Sequence, residues 1–376
     1  MKRYLKFGLA CVGLAGSLAA AAQTPQNALA FERAAHLKHG INTSIWFAQS
    51  PNNYSVDRLR TFTTEKDLQL IAKLGFDHIR LSIDAVPLTA WQHDDPAGKA
   101  FVAELDRVVD AAIADKLAVI IDVHPEDPYK HDLLQGDASI KALDDLWHTL
   151  AQHYASKGAS EVYFELMNES QQTDGVRWGT IQAGLVDTIR SVDKVHTIIA
   201  TGPHWSGLED LLSSEPLKDS NVIYTFHDYE PFAFTHQGST WAMSELPPLR
   251  AVPYPATLKD VSPNLNQEPS LQGRLYVTKY ALDHWDAKRI DALLAFAETW
   301  SKDHGVPVYC GEFGVFRPYA EAKDRQRWIR DTRTSLERHG IGWAMWDYQT
   351  DFGLVTKKDG KTEVDKGVLN ALGLKE

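Results

Sequence analysis

The sequence predicts an α/β protein, folded as a single closed (β/α)8 TIM barrel. Eight short apolar runs recur along the chain, and segments with helical periodicity separate them. Polar and charged residues collect at the C-terminal ends of those runs. Alternation of strand and helix implies a parallel sheet covered by helices. Eight such units imply closure, and 376 residues is an ordinary length for one barrel with insertions. An open doubly wound sheet is the competing architecture. It usually carries a glycine-rich phosphate turn after its first strand, and "HGINTSIWF" (39–47) has none.

The chain starts with "MKRYLKFGLACVGLAGSLAAAAQT". Lys2, Arg3 and Lys6 precede an apolar run that ends in small residues with Ala-x-Ala choices before Gln23. Residues 1–23 therefore read as a secretory signal peptide, too short to span a bilayer. Export to the periplasm or the medium is expected, with no membrane association after cleavage. Residues 24–30 read as a short linker and 31–376 as the barrel domain. Cys11 falls within the leader, which leaves Cys310 as the one cysteine of the mature chain and no intrachain disulfide.

The first four predicted strands are 39–47, "FDHIRLSID" (76–84), "LAVIIDVHP" (117–125) and "EVYFELMNE" (161–169). "VHTIIATGP" (195–203), "NVIYTFHDY" (221–229), "VPVYCGEFG" (306–314) and "IGWAMWDY" (341–348) complete the set. Helical spacing joins Leu68, Ile71 and Ala72, stopping at Gly75. It recurs at Phe101, Leu105, Val108, Val109 and Ala112; at Ile140, Leu143, Trp147, Leu150 and Tyr154; and at Ile290, Leu293, Leu294, Ala297 and Trp300. A proline-crowded stretch from Pro231 to about Lys279 follows the sixth strand. It is expected to hang over the open face of the barrel.

Composition narrows the partners. Net charge is −11 and the pI near 5.7, which argues against nucleic acid, whose phosphates demand basic patches. Neutral sugars remain allowed. With 44% apolar residues a large core is available. Eleven tryptophans supply flat faces for stacking, although about half are expected in the core. A monomer is expected.

A barrel of this class builds its active site at the C-terminal strand ends. Those ends offer Arg80, His124, Asn168 with Glu169, His227 with Tyr229, Glu312, and Trp346. "FELMNES" (164–170) carries an apolar strand straight into Asn168-Glu169. A buried charge is costly unless it is paired or used. Any one polar strand end has a bland explanation, because strand ends meet loops. Two glutamates ending apolar strands, ringed by Arg, His, Tyr and Asn, are the parts for acid–base and nucleophilic chemistry on a neutral polyol. No His-x-His pair stands on an early strand, and no His-Glu-x-x-His occurs, so no metal is expected. A Gly-x-Ser-x-Gly elbow is missing too. No cofactor is implied. A carboxylate pair without metal is the arrangement of glycosidases.

Residues 31–376 resemble glycoside hydrolase family 5. The resemblance rests on Arg80, His124, Asn168-Glu169, His227-Asp228-Tyr229, Glu312 and Trp346 in this order of strands. "FHDYEPFAFTHQG" (226–238) further resembles the bacterial endo-β-1,4-glucanases of that family. Two departures stand out: Ser170 where the family commonly has Pro, and Pro125 where a second polar residue often follows the histidine. The resemblance implies a retaining hydrolase of β-1,4-glucan, with Glu169 as acid/base and Glu312 as nucleophile. Arg80 and Tyr229 would donate to Glu312, Asn168 would bond the sugar 2-hydroxyl, His124 and His227 would hold hydroxyls and orient Glu169, and Trp346 would floor the cleavage point. As acid, Glu169 is expected to carry a raised pKa. The Trp346–Asp347 peptide bond is expected to be cis. Candidate stacking platforms are Trp46, Trp205, Phe232 and Trp241.

Two further expectations come from period-two alternation along strands. Glu165 should point inward and pair with His78 or Arg80 as a structural acid. Cys310 should face inward with Glu312, one layer deeper, buried and unreactive. Alternatives stay open on substrate: β-mannan, xyloglucan or a short β-oligosaccharide, with endo or exo action. A non-catalytic glycan-binding barrel is the reading from another class; retention of both glutamates argues against it.

Overall fold

The computed structural model describes residues 27–50 and 53–376. The predicted leader, with Cys11, lies outside the described residues. Eight parallel strands close into a barrel in sequence order: β1 (His39–Asn42), β2 (His78–Ile83), β3 (Ala118–Val123), β4 (Val162–Glu165), β5 (Thr197–Thr201), β6 (Val222–Asp228), β7 (Val308–Phe313) and β8 (Gly342–Met345). β1 pairs with β8 to complete the circle. All eight predicted runs contain a strand. The strands stop short of the runs because the last residues of each run leave the ladder to build the open face.

Helix signals are local and sharp. In the helix Pro96–Ala114, Asp95 caps the N-terminus, accepting from the backbone N–H of Ala97 and Gly98, and Pro96 occupies the first turn. Its buried face carries Phe101, Leu105, Val108, Val109 and Ala112. The helix Ala287–His304 is capped by Asp286 and ends at Gly305, whose φ of +64° is the left-handed cap that glycine adopts without a side-chain clash. Two more helices, Gly175–Val192 and Ala322–Arg338, cover the barrel where apolar periodicity is harder to read. Gly179 and Gly184 interrupt the first, and the second is strongly charged. Residues 28–30, expected as linker, form the first turn of a helix (Ala28–Ala34), and Ala30 is buried in the core.

The barrel wall sorts side chains by parity. Outward residues such as Ile79, Leu81, Val119, Ile121 and Phe164 join the large core beneath the helices. Inward at the bottom, Ile120, Tyr163, Ile199, Ile223, Tyr309 and Ala344 form a separate apolar plug, sealed by Leu37. Above the plug the interior turns charged, with Arg80, Asp122 and Glu165 fully buried. An antiparallel hairpin of β9 (Val355–Lys358) and β10 (Lys361–Val364) follows β8.

The segment after β6 departs from expectation. It folds into helices Phe232–Thr235, Ser262–Gln267 and Leu271–Leu282. Leu246, Leu249, Val252 and Tyr254 between them are buried with the main core. Tyr254 reaches Asp331 of the helix Ala322–Arg338 through its hydroxyl at 3.1 Å. Gln237 donates to the carbonyls of Phe234 and Val252 and accepts from the Val252 N–H. With Leu246, Leu249, Val252 and Tyr254 buried and Tyr254 bonded to an outer helix, this part of the segment packs down on the barrel side.

Candidate active site

Arg80 is the hub. It stands on β2, fully buried, and donates through Nε and Nη2 to both oxygens of Glu165 at 2.8 and 2.7 Å. Its Nη1 donates to Glu312 Oε1 at 2.7 Å and to Asn42 Oδ1 at 3.0 Å. Nη2 also reaches Asn168 Oδ1 at 3.0 Å and Asp122 Oδ2 at 3.1 Å. Burial works against its charge, but Asp122, Glu165 and Glu312 hold the guanidinium firmly ionised. An isolated buried cation would cost several kcal/mol; here the planar fork matches its acceptors. Glu165 thus faces inward as a partner of Arg80. His78 pairs instead with Asp77 and with the Tyr309 hydroxyl at 2.6 Å.

Glu312 comes to this point through a bulge. Phe226 pairs with Cys310, and the next pair is His227 with Glu312, so Gly311 is the extra residue on β7. Cys310 consequently joins the outer core with Phe226, and Tyr309 joins the inner plug. The expected inward placement of Cys310 is overturned, because the bulge shifts the alternation by one. The residue is buried all the same, and burial pushes its thiol pKa well up. Glu312 Oε2 accepts from the Tyr229 hydroxyl at 2.8 Å, so both its oxygens have donors.

Glu169 leaves β4 in a left-handed conformation, φ +44°, which a non-glycine residue adopts at a cost of about 1–3 kcal/mol. Its Oε1 meets His227 Nδ1 at 2.8 Å. Burial raises the Glu169 pKa, but the hydrogen bond and charge of His227, with Lys130 behind them, pull it down to about 2. Burial disfavours the His227 cation, yet Glu312 and Glu169 raise its pKa on balance. The expected raised pKa of Glu169 is therefore reversed in the free site: the proton shared by this pair rests on the imidazole.

His124 is held in the opposite state. Its Nδ1 donates to Asp122 at 2.8 Å, and its Nε2 accepts from Asn168 Nδ2 at 3.1 Å. Burial drives its pKa down to about 3, so the ring is neutral. Trp346 lies nearly parallel to it, 5.8 Å between centroids and 19° between planes. The Trp346–Asp347 peptide is cis, as the resemblance implies. Asp347 turns away into a buried pocket, bonded to Ser44 and Thr350.

The aromatic candidates separate. Trp46 is fully buried and donates from Nε1 to the Leu59 carbonyl at 2.7 Å. It is a core residue beneath the first loop, and its expected role as a platform is withdrawn. Phe232 stacks on His236 at 4.4 Å, beside Tyr229. Trp205 and Trp241 are 45% and 61% exposed, free to meet a ligand. Trp241 stands edge-on to Phe316, which clusters with Phe352 and Trp346 and so extends the wall of the cleft. Phe316 and Phe352 sit in irregular loops with no periodic signal. Asp122 and Asn42 were readable: each lies on the inward parity of its strand, Asp122 two residues before His124.

One carboxylate oxygen each of Glu169 and Glu312, and one nitrogen of His227, lie within 4.8 Å of one another. Such a trio has the donor types for a cation, but Arg80 already neutralises Glu312 and His227 engages Glu169. Chemically, the site offers two carboxylates with different partners, Glu312 on Arg80 and Tyr229 and Glu169 on His227, beside the ring of Trp346.

Residues 39–351 match the family model described as Cellulase (glycosyl hydrolase family 5). Endoglucanase C of Acetivibrio thermocellus is 29% identical over 321 residues, 83% of this chain and 91% of that protein. Cellodextrinase A of Ruminococcus flavefaciens is 26% identical, covering 80% of this chain and 82% of its own length. Among solved structures, Thermotoga maritima Cel5A with cellobiose superposes at a TM-score of 0.73 and 26% identity, covering 91% of this chain and 99% of that one. The same enzyme with mannotriose gives 0.72 at equal identity and coverage.

Proposed function

This chain belongs to glycosyl hydrolase family 5, the cellulase family, and from that premise we propose that it is a retaining endo-β-1,4-glucanase. The carrying observation is the approach of Glu169 and Glu312, whose nearest oxygens lie within 4.8 Å. Retention needs carboxyl groups about 5–5.5 Å apart, whereas inversion needs about 6.5–9.5 Å to admit a water between the base carboxylate and the anomeric carbon.

In the first step Glu312 attacks the anomeric carbon. The C–O bond to the leaving sugar breaks as a glycosyl ester forms, and Glu169 delivers the proton to the departing oxygen. Arg80 and Tyr229 aim Glu312, because each donates to a different oxygen. His227 stores the proton that Glu169 passes on, across their 2.8 Å contact. As Glu312 is esterified its negative charge vanishes, which weakens the hold on the imidazolium and favours release. In the second step Glu169 takes a proton from water, and the hydroxyl displaces Glu312. Asn168 is positioned for the sugar 2-hydroxyl, a contact that strengthens toward the oxocarbenium-like state, and Trp346 floors the reacting ring. We assign export of the mature chain on the strength of its leader sequence.

A second reading, action on β-mannan, is favoured by the likeness to an enzyme captured with mannotriose. Proton NMR of the first-formed product from cellotetraose tests the main reading: β-product is expected, and α-product would overturn the role of Glu312. A parallel panel of β-glucan, mannan and xyloglucan ranks the substrates.

A further inference from the structure

The helix Asp127–Gln135 follows β3, where Pro125 replaces the family's usual polar residue, and it carries a lysine into the site. Lys130 is only 5% exposed. Among the described residues its ammonium makes no hydrogen bond and no ion pair. Asp122, Glu126 and Glu169 feel its charge, but none of them pairs with it. Its Nζ lies 5.6 Å from the centroid of the Trp205 ring. The stem of Lys130 is buried, and an ammonium with no protein partner among the described residues keeps its three N–H groups for a ligand.

Trp205 provides the second observation. His204, Trp205 and Ser206 all have left-handed φ, +44°, +70° and +57°. Three such residues in a row are costly, and strain of this kind collects at ligand-binding positions. The Trp205 N–H donates to the carbonyl of Ser170 at 2.9 Å, so this turn is anchored to the residue after Glu169. The turn that carries the indole is therefore tied to the neighbour of Glu169, whose carboxylate feels the Lys130 charge.

We propose that Lys130 is a specificity-determining residue for the leaving sugar: held against Trp205, its ammonium donates hydrogen bonds to hydroxyls of the pyranose that departs from Glu169. The inference rests on the assignment of Glu169 as the acid. The ligand class is a neutral pyranose, because its hydroxyls accept from three N–H groups while its apolar face covers the indole.

Lys130→Gln and Lys130→Met test it against two substrates. Cellotetraose places a sugar on the leaving side, and 2,4-dinitrophenyl β-cellobioside places an aryl group there. kcat/KM for cellotetraose should fall about tenfold or more, while the aryl substrate changes less than about twofold, since only the sugar loses a partner. Equal losses on both substrates, or none on the tetrasaccharide, would overturn the assignment. Titration with cellobiose, followed by tryptophan fluorescence, gives a readout independent of turnover. Binding should weaken at least several-fold in both variants, with thermal midpoints near wild type. If the wild type hydrolyses neither substrate, the glycosidase reading fails, and unchanged cellobiose affinity in Lys130→Gln still decides against Lys130.

Discussion

Cys310 and Glu312 stand two residues apart on β7, yet they face opposite sides of the barrel wall. Gly311 bulges between them, and a Cβ built there would lie 2.7 Å from Thr225 Oγ1 and 3.3 Å from His227 Nε2. Only glycine lets the strand carry Glu312 to Arg80 without pushing His227 off Glu169. Gly311→Ala should therefore fold, at an overpacking cost of about 1–3 kcal/mol. Activity should drop about 100-fold, because displacement near 1 Å suffices for that loss. Denaturant unfolding and steady-state kinetics on the same preparation check both halves.

The two glutamates should fail in different ways. Glu312→Ala should lose about 10⁴-fold or more in kcat, and added azide should restore turnover with an α-configured glycosyl azide. Glu169→Ala should still form the glycosyl ester from substrates with very good leaving groups, which need no proton. Trapping that ester by mass spectrometry checks the second outcome. If azide restores the β-azide on Glu312→Ala, the nucleophile has been misassigned.

His227 should set the alkaline limb of the pH profile. Its folded pKa is raised, so its contribution to stability is present below its ordinary pKa and is lost as pH rises through the raised value. Glu169 is lowered to about 2, so its contribution is present above the ordinary carboxylate range and is lost as pH falls toward 2. The ion pair thus stabilises between those limits. In His227→Gln the single proton must sit on Glu169 alone, and the alkaline limb of kcat/KM should move to lower pH. A limb that stays in place while kcat falls would remove His227 as the proton store.

Trp46 and Trp241 should separate stability from binding. Trp46→Phe leaves the Leu59 carbonyl without its 2.7 Å donor and should cost about 1–3 kcal/mol of stability. Its KM on soluble glucan should stay at the wild-type value. Trp241→Ala removes an exposed ring and should change stability by less than about 0.5 kcal/mol. Its KM for long glucans should rise several-fold, with little change for cellobiosides. Paired thermal melts and chain-length kinetics read both.

The legibility of the site follows from parity. Arg80, His124 and Asn168 converge as read because β2, β3 and β4 run in regular register with one another. Glu165 lands on Arg80 for the same reason. Failures begin where regularity stops. Cys310 is misplaced by a one-residue bulge, which no composition signal announces, since a glycine in a strand has several uses. Trp46 and Trp241 are both tryptophans near loops, and whether a loop covers the ring is settled by distant residues such as Leu59 and Phe316.

Periodicity in the chain suffices for the barrel, its eight strand ends and the set of acids and bases gathered there. These depend on periodicity and on the rule that parallel barrels open at their C-terminal ends, both local in the chain. Tertiary structure alone decided which side of the wall each β7 residue faces, which ring remains exposed, and where the proton between Glu169 and His227 rests. It also decided that Lys130, on a helix after β3, ends beside Trp205 from the turn after β5, without an ion-pair partner among the described residues. Each of these is a balance of burial against a partner far away in sequence, and that balance exists only once the barrel has closed.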